Sequence, residues 1–140
     1  MKVEIFTIGK PRLRFVRDGV EEYAKRLQRY SPVALRFLES PEAQLRGSEG
    51  AYRVVLDERG ELPTTAEFAE RVRGWKLSGV KRVAYLIGGA DGHPDAVRQA
   101  ADWTLALSRL TLQHELALLV LLEQLYRVET LLAGHPYHRG

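Results

Sequence analysis

A chain of 140 residues, 45% hydrophobic and 28% charged, is long enough to close one core without staples and too apolar to be a disordered protein. It contains no cysteine, which excludes disulfides and thiolate metal sites and suits a reducing, cytoplasmic compartment. The formal net charge of +3 admits an anionic partner without demanding one, and the basic excess is N-terminal: residues 1–50 hold ten Lys/Arg against seven Asp/Glu, residues 101–140 three against four.

Residues 2–8, KVEIFTI, alternate and run into Gly9-Lys10-Pro11, which predicts a strand and a turn and is too short for a secretory leader. From Arg14 to Tyr30 the apolar positions Val16, Val20, Tyr23, Leu27 and Tyr30 recur at helical spacing. The outer face of that helix carries Arg17, Lys25, Arg26 and Arg29, either an ordinary solvated face or one that touches nucleic acid. VALRFLE, 33–39, predicts a second strand, and 40–50 a polar, glycine-containing loop.

AYRVVLD, 51–57, predicts a third strand followed by a turn at Glu58-Arg59-Gly60. Thr64 and Glu67 stand at capping-box spacing before a helix that buries Phe68, Val72 and Trp75 and ends at Gly79. RVAYLI, 82–87, is a fourth strand running into GGADGHP, with Pro94 opening a helix through about Ala101. WTLALS, 103–108, is a fifth strand. A long, nearly all-round apolar helix then runs from His114 to Leu132, stopped by Gly134. Its longest apolar run, Leu116 to Leu122, is far below the roughly 18 residues of a membrane span. Strands alternating with helices predict an α/β class, a mostly parallel sheet of five to six strands with helices on both faces, in one domain over 1–140.

Ligands of such sheets bind beyond the carboxyl ends of strands, which nominates Leu56-Asp57, Ile87-Gly88-Gly89 and Leu107-Ser108. The paired glycines of LIGGADG, 86–92, allow a ligand to approach the backbone or simply serve a tight turn. A helix as apolar as 114–132 needs cover on more than one side, from its own domain or from a second subunit. His93 reads as a turn residue and His114 as a capping residue. His135 and His138 have no third ligand nearby, so no metal is expected. The closing HPYHR is dense in donors for a chain end.

Taken together, LDERGELPTTAEFA (56–69), LIGGADG (86–92), LSRLTLQHELALLVLLEQLYR (107–127) and the terminal HPYHRG resemble, over essentially the whole chain, the ribosomal RNA large subunit methyltransferase H family of the SPOUT class. The resemblance implies a deep C-terminal trefoil knot, bound S-adenosylmethionine and a homodimer. It also implies methylation of N3 of a pseudouridine in 23S rRNA, with the ribosome as partner and neither membrane nor metal involved. Carried over by position, it places the cofactor on Leu56, Gly88, Leu107, Ser108, Arg109, Leu110, Thr111 and Leu112, and the substrate-facing groups at Tyr137, His138 and Arg139. The chain departs from the family pattern at Gln113, where proline is common, and at Leu118, where a basic residue is common. Two rival readings remain: a non-catalytic RNA- or ribosome-binding module of the same fold, and an enzyme of that fold acting on another RNA.

Overall fold

The computed structural model describes residues 1–139, with the side chains of His138 and Arg139 outside the described residues. Five strands, β1 (Lys2–Ile8), β2 (Val33–Leu38), β3 (Tyr52–Glu61), β4 (Arg82–Leu86) and β5 (Trp103–Leu105), form one sheet in the order β2-β1-β4-β3-β5. Every pairing is parallel, as the alternation of strands and helices predicts. Between and after them come α1 (Arg14–Leu27), α2 (Pro41–Gly47), α3 (Thr65–Leu77), α4 (Asp95–Gln99) and α5 (His114–Ala133), and a 3-10 turn at Pro136–Arg139.

The pleat sorts side chains to two faces. Val3, Ile5, Val54, Leu56, Val83, Tyr85 and Ile87 meet α1, α3 and α5 in the larger core, which includes Trp75, Trp103, Leu121 and Leu122. Phe6, Val55, Ala84 and Leu86 face the other way, onto Val97 of α4 and Leu45 of α2. The strands are therefore covered on both sides, which is why they read as apolar runs.

Five elements differ from the sequence expectation. The polar stretch 40–50 contains a helix, because Ser40 caps it by accepting from Ala43 N–H at 3.1 Å and Pro41 occupies its first turn. Gln44 of that helix is fully buried and donates to the carbonyls of Phe6 and Ile87, fastening α2 over the ends of β1 and β4. The expected turn at 58–60 lies inside β3: pairing with β5 breaks after Leu56 and resumes at Glu61, so the intervening residues bulge. Only glycine fits at 60, where a Cβ would stand 2.5 Å from the Thr104 carbonyl oxygen. Finally, α1 stops at Leu27, β5 at Leu105 and α4 at Gln99, all earlier than the pattern suggests.

α5 lies between α1 and α3, and no position from His114 to Leu132 is exposed. Gly19 permits the close crossing with α1, since a Cβ there would meet Leu119 Cδ1 at 2.7 Å. Lys76 of α3 pairs with buried Glu129, and Thr65 Oγ1 donates to Gln124 at 2.8 Å. Gln113 caps the helix through the N–H groups of Glu115 and Leu116, and left-handed Gly134 closes it. Leu118, one of the two departures from the family pattern, is buried in the core, so that position is not a surface in this chain. The Thr64/Glu67 capping box on α3 is complete. No helix is long and apolar enough to cross a membrane among the described residues.

Within the sheet, Glu4 of β1 is 1% exposed and bonds Arg36 at 3.0 Å and Arg82. Burial acts to raise its pKa, but the two guanidinium groups prevail and hold the carboxyl below its ordinary value. A depressed folded pKa adds stability above the unfolded value that disappears as pH falls through the folded one. Glu4→Gln is expected to cost about 1–3 kcal/mol at neutral pH and to flatten the acid limb of the unfolding profile, read by denaturant titration from neutral to acid pH.

Candidate active site

The carboxyl ends of β3, β4 and β5 converge on one cavity of about 370 Å³, within the range of small-ligand sites. Its apolar walls are Leu56, Ile87, Leu105, Leu107 and Leu112; its polar lining includes Asp57, Glu58, His93, Ser108 and Thr111; His114 and Ala117 bring the start of α5 to it. Of the eight residues that the sequence resemblance nominates for a cofactor, Leu56, Gly88, Leu107, Ser108, Leu110, Thr111 and Leu112 line this cavity. Arg109 does not; it is exposed in the same loop.

The rim is fixed by specific bonds. Thr111 Oγ1 donates to Glu58 Oε2 at 2.7 Å, strapping the 107–112 loop to the bulge of β3, and Ser108 Oγ accepts from Leu110 N–H at 2.9 Å. Asp57 accepts from Arg59 N–H at 2.9 Å and from Arg98 Nε at 2.8 Å. Burial acts to raise the Asp57 pKa; these hydrogen bonds outweigh it and keep the carboxylate ionised below its usual range.

The glycine-rich turn combines both roles that its sequence allows. Gly92 has a φ of 76° and its N–H bonds the Gly89 carbonyl at 3.0 Å. A Cβ on Gly88 would stand 2.8 Å from the Gly92 carbonyl carbon, so the backbone that closes on Gly88 is that of its own turn, while Gly88 also lines the cavity. His93 is not a surface turn residue: at 6% exposure it is a wall of the cavity, its Nε2 donating to the Leu86 carbonyl at 3.1 Å. Its Nδ1 is buried with no hydrogen-bond partner among the described residues. Burial lowers its pKa and keeps the ring neutral.

Sequence reading passed over Glu115. Its buried carboxylate accepts from the N–H groups of Arg12 and Leu13, both at 2.9 Å. It thereby caps α1, whose own N-cap residue, Leu13, has no side-chain acceptor. Two N–H groups in a distant loop leave no mark in local sequence. The roles of Arg98 and of His93, which reads as a turn residue, are non-local in the same way, although the strand end they adjoin, Leu56-Asp57, is legible in the sequence.

The C-terminal tail lies elsewhere. Tyr137 Oη donates to Glu123 at 2.9 Å and lies 3.1 Å from Tyr23 Oη; its ring packs edge-on against Tyr126, with Arg127 4.9 Å from its centroid. Burial, with the bonds to Tyr23 and Glu123, raises its pKa, so the phenol is neutral. Tyr30 Oη bonds His135 Nδ1 at 2.5 Å. Tyr137 is not a cavity residue of its own chain: Glu123, its anchor, is about 9 Å along α5 from Ala117 and well over a quarter-turn around it. Candidate residues His138 and Arg139 have side chains outside the described residues. No group of three or more His, Asp or Glu is arranged for a metal among the described residues.

A family model described as "Predicted SPOUT methyltransferase" matches residues 1–138. A ribosomal RNA large subunit methyltransferase H of Thermus thermophilus is 58% identical over 139 residues, covering 99% of each chain. One from an Anaeromyxobacter species is 48% identical over 156 residues, covering 99% of this chain and all of that one. Among solved structures, a probable methyltransferase from Bordetella pertussis superposes with a TM-score of 0.58 at 12% identity, over 91% of this chain and 95% of that one, a likeness of fold.

Thr111→Val removes the strap to Glu58 without changing side-chain volume greatly. Amide exchange across 108–112 is expected to speed up several-fold while the strands keep their protection; unchanged exchange in the loop would assign its order to another contact.

Proposed function

The chain belongs to the SPOUT methyltransferases and, within them, to the ribosomal RNA large subunit methyltransferase H family, and from that premise we propose that it methylates N3 of a pseudouridine in 23S rRNA of the large ribosomal subunit. The observation that carries the reading is the strand-end cavity. Its volume and apolar walls suit a nucleoside-sized ligand, and the open backbone of 88–92 and 107–112 can meet that ligand's polar edge. S-adenosylmethionine, when bound there, supplies a methyl group on a sulfonium already activated for displacement.

The protein's share of the reaction is then positioning and proton handling. Leu56, Ile87, Leu107 and Leu112 exclude water around the ligand's flat portion, and the Thr111–Glu58 strap holds the loop over it. Asp57, held ionised by the Arg59 N–H and the Arg98 guanidinium, keeps a negative charge beside the site. The N3–H of the base is a weak acid, so it gives up its proton to a base as the N3–methyl bond forms and the sulfonium becomes a neutral thioether. In this reading Tyr137, His138 and Arg139 orient the base, receive that proton and stabilise the developing anion.

Because each chain holds its tail against α1 and α5 rather than at its own cavity, the tail serves the cavity of a second copy, in a homodimer. Support for such an assembly comes from exposed apolar side chains: Phe15 is 58% and Leu110 77% exposed, and Phe15 lies in the first turn of the helix that Glu115 ties to the start of α5. The same reading includes the trefoil knot.

Labelled S-adenosylmethionine and large ribosomal subunits lacking the modification are expected to yield one methylated nucleotide, placed at N3 of a pseudouridine by mass spectrometry. Deleting 135–140 should lower that rate by at least about 100-fold while leaving cofactor affinity intact. Methylation of a different RNA, or of none, would contradict the assignment.

A further inference from the structure

The basic outer face of α1 has no part in the reaction as described, yet it borders the tail. A surface hollow of about 300 Å³ is lined there by Glu22, Lys25, Arg26, Arg29 and Tyr126. Its one carboxylate is already engaged: Arg26 Nε bonds Glu22 at 2.6 Å, and the same guanidinium lies 5.2 Å from the Tyr23 centroid and 5.6 Å from that of Tyr126. Lys25 and Arg29 are different. Both are exposed, and neither has an ion-pair or side-chain hydrogen-bond partner among the described residues. Lys25 lies in the last turn of α1 and Arg29 in the turn that follows it, and both line the hollow together with a fixed cation and an aromatic floor.

That floor is rigid and continuous with the tail. Tyr126 packs against Tyr23, Tyr30 and Tyr137 at centroid separations of 6.1, 6.0 and 4.6 Å. Through the Tyr30 hydroxyl the cluster also holds His135. We propose that this hollow is a phosphate-binding subsite for the RNA backbone flanking the target nucleotide, with Lys25 and Arg29 as its contacts and Arg26 and Tyr126 as its preorganised base. The inference rests on the RNA-methyltransferase reading and adds to it where the substrate strand runs: across α1, onto the tail and into the second copy's cavity. Two exposed cations without a carboxylate partner, beside a third that is already fixed, suit a charged backbone, because phosphate oxygens accept from ammonium and guanidinium groups without regard to sequence.

The test compares the intact protein, Lys25→Ala/Arg29→Ala and a control pair of equal charge loss elsewhere, Arg46→Ala/Lys81→Ala. Binding of a fluorescein-labelled RNA hairpin is followed by anisotropy across a salt series, with calorimetry of S-adenosylmethionine as the check on fold. The subsite predicts at least about tenfold weaker binding at low salt and a log–log salt slope shallower by about 1.5–2 than wild type, with a much smaller change in the control. Curves that superpose on the control overturn the subsite, as does loss of affinity with an unchanged slope, which would mean no phosphate contact was removed. Methyl transfer to ribosomal subunits, measured in parallel on wild type, decides the enzymatic reading separately: its absence would overturn that reading, while the slope still decides whether Lys25 and Arg29 hold a backbone.

Discussion

The cover of α5 is the constraint on which the remaining architecture depends. Twenty residues with almost no polar stripe cannot face water, so α1 and α3 must clasp the helix against the sheet, and the few polar groups it carries must find partners. They do: Glu115 with the 12–13 backbone, Gln124 with Thr65, Glu129 with Lys76, Glu123 with Arg127 and Tyr137. Each of these bonds also fixes something else in place. Glu115 sets where α1 begins, beside the cavity; Glu123 sets where the tail rests, away from it. One helix thus separates the two halves of the proposed active site within a chain, and the case for a second copy follows from that separation.

The cavity has an equally simple origin. Parallel strands put all their carboxyl ends at one edge of the sheet, and here the regular pairing of β3 with β5 lapses at that edge, between Leu56 and Glu61. The lapse frees Asp57, Glu58 and Arg59 from the ladder and turns them toward the rim. Opposite them the Gly88–Gly92 turn folds back on itself, bringing the neutral His93 ring in as a wall. A floor of strand ends, two irregular loops and the start of a covered helix make a site whose shape is set by backbone more than by side-chain charge, which suits a ligand whose reactive group is already activated.

Much of this was legible in the sequence, and the parts that were not share a cause. Periodicity located α1 and α3 because each buries one defined face, a long apolar run located α5, and apolar runs located β1, β3 and β4 because both faces of those strands are covered. The Thr64/Glu67 box was readable since capping is local. The short helix α2 was hidden because its decisive contact, Gln44 to the Phe6 and Ile87 carbonyls, is non-local and polar. Gly60 looked like a turn glycine; it is instead the clearance needed where β3 passes the Thr104 carbonyl. His93 looked like a loop histidine, and nothing in a GGADGHP string says that its ring folds inward. For the site, strand-end reasoning reached the correct edge of the sheet, and resemblance supplied the loop 107–112. The tail's resting place depended on Tyr23 and Glu123, which lie 114 and 14 residues away from Tyr137.

The central claim is that the strand-end cavity is where the methyl donor sits. A backbone amide spectrum of the labelled protein, recorded while S-adenosylmethionine is added, tests this without relying on any variant or on turnover. A donor in that cavity predicts saturable shifts concentrated in 56–59, 87–93 and 105–112, with the outer face of α1 and the α2 side of the sheet unmoved. Shifts centred on 22–29 and 126 instead, or no saturable shift at any residue, would contradict it.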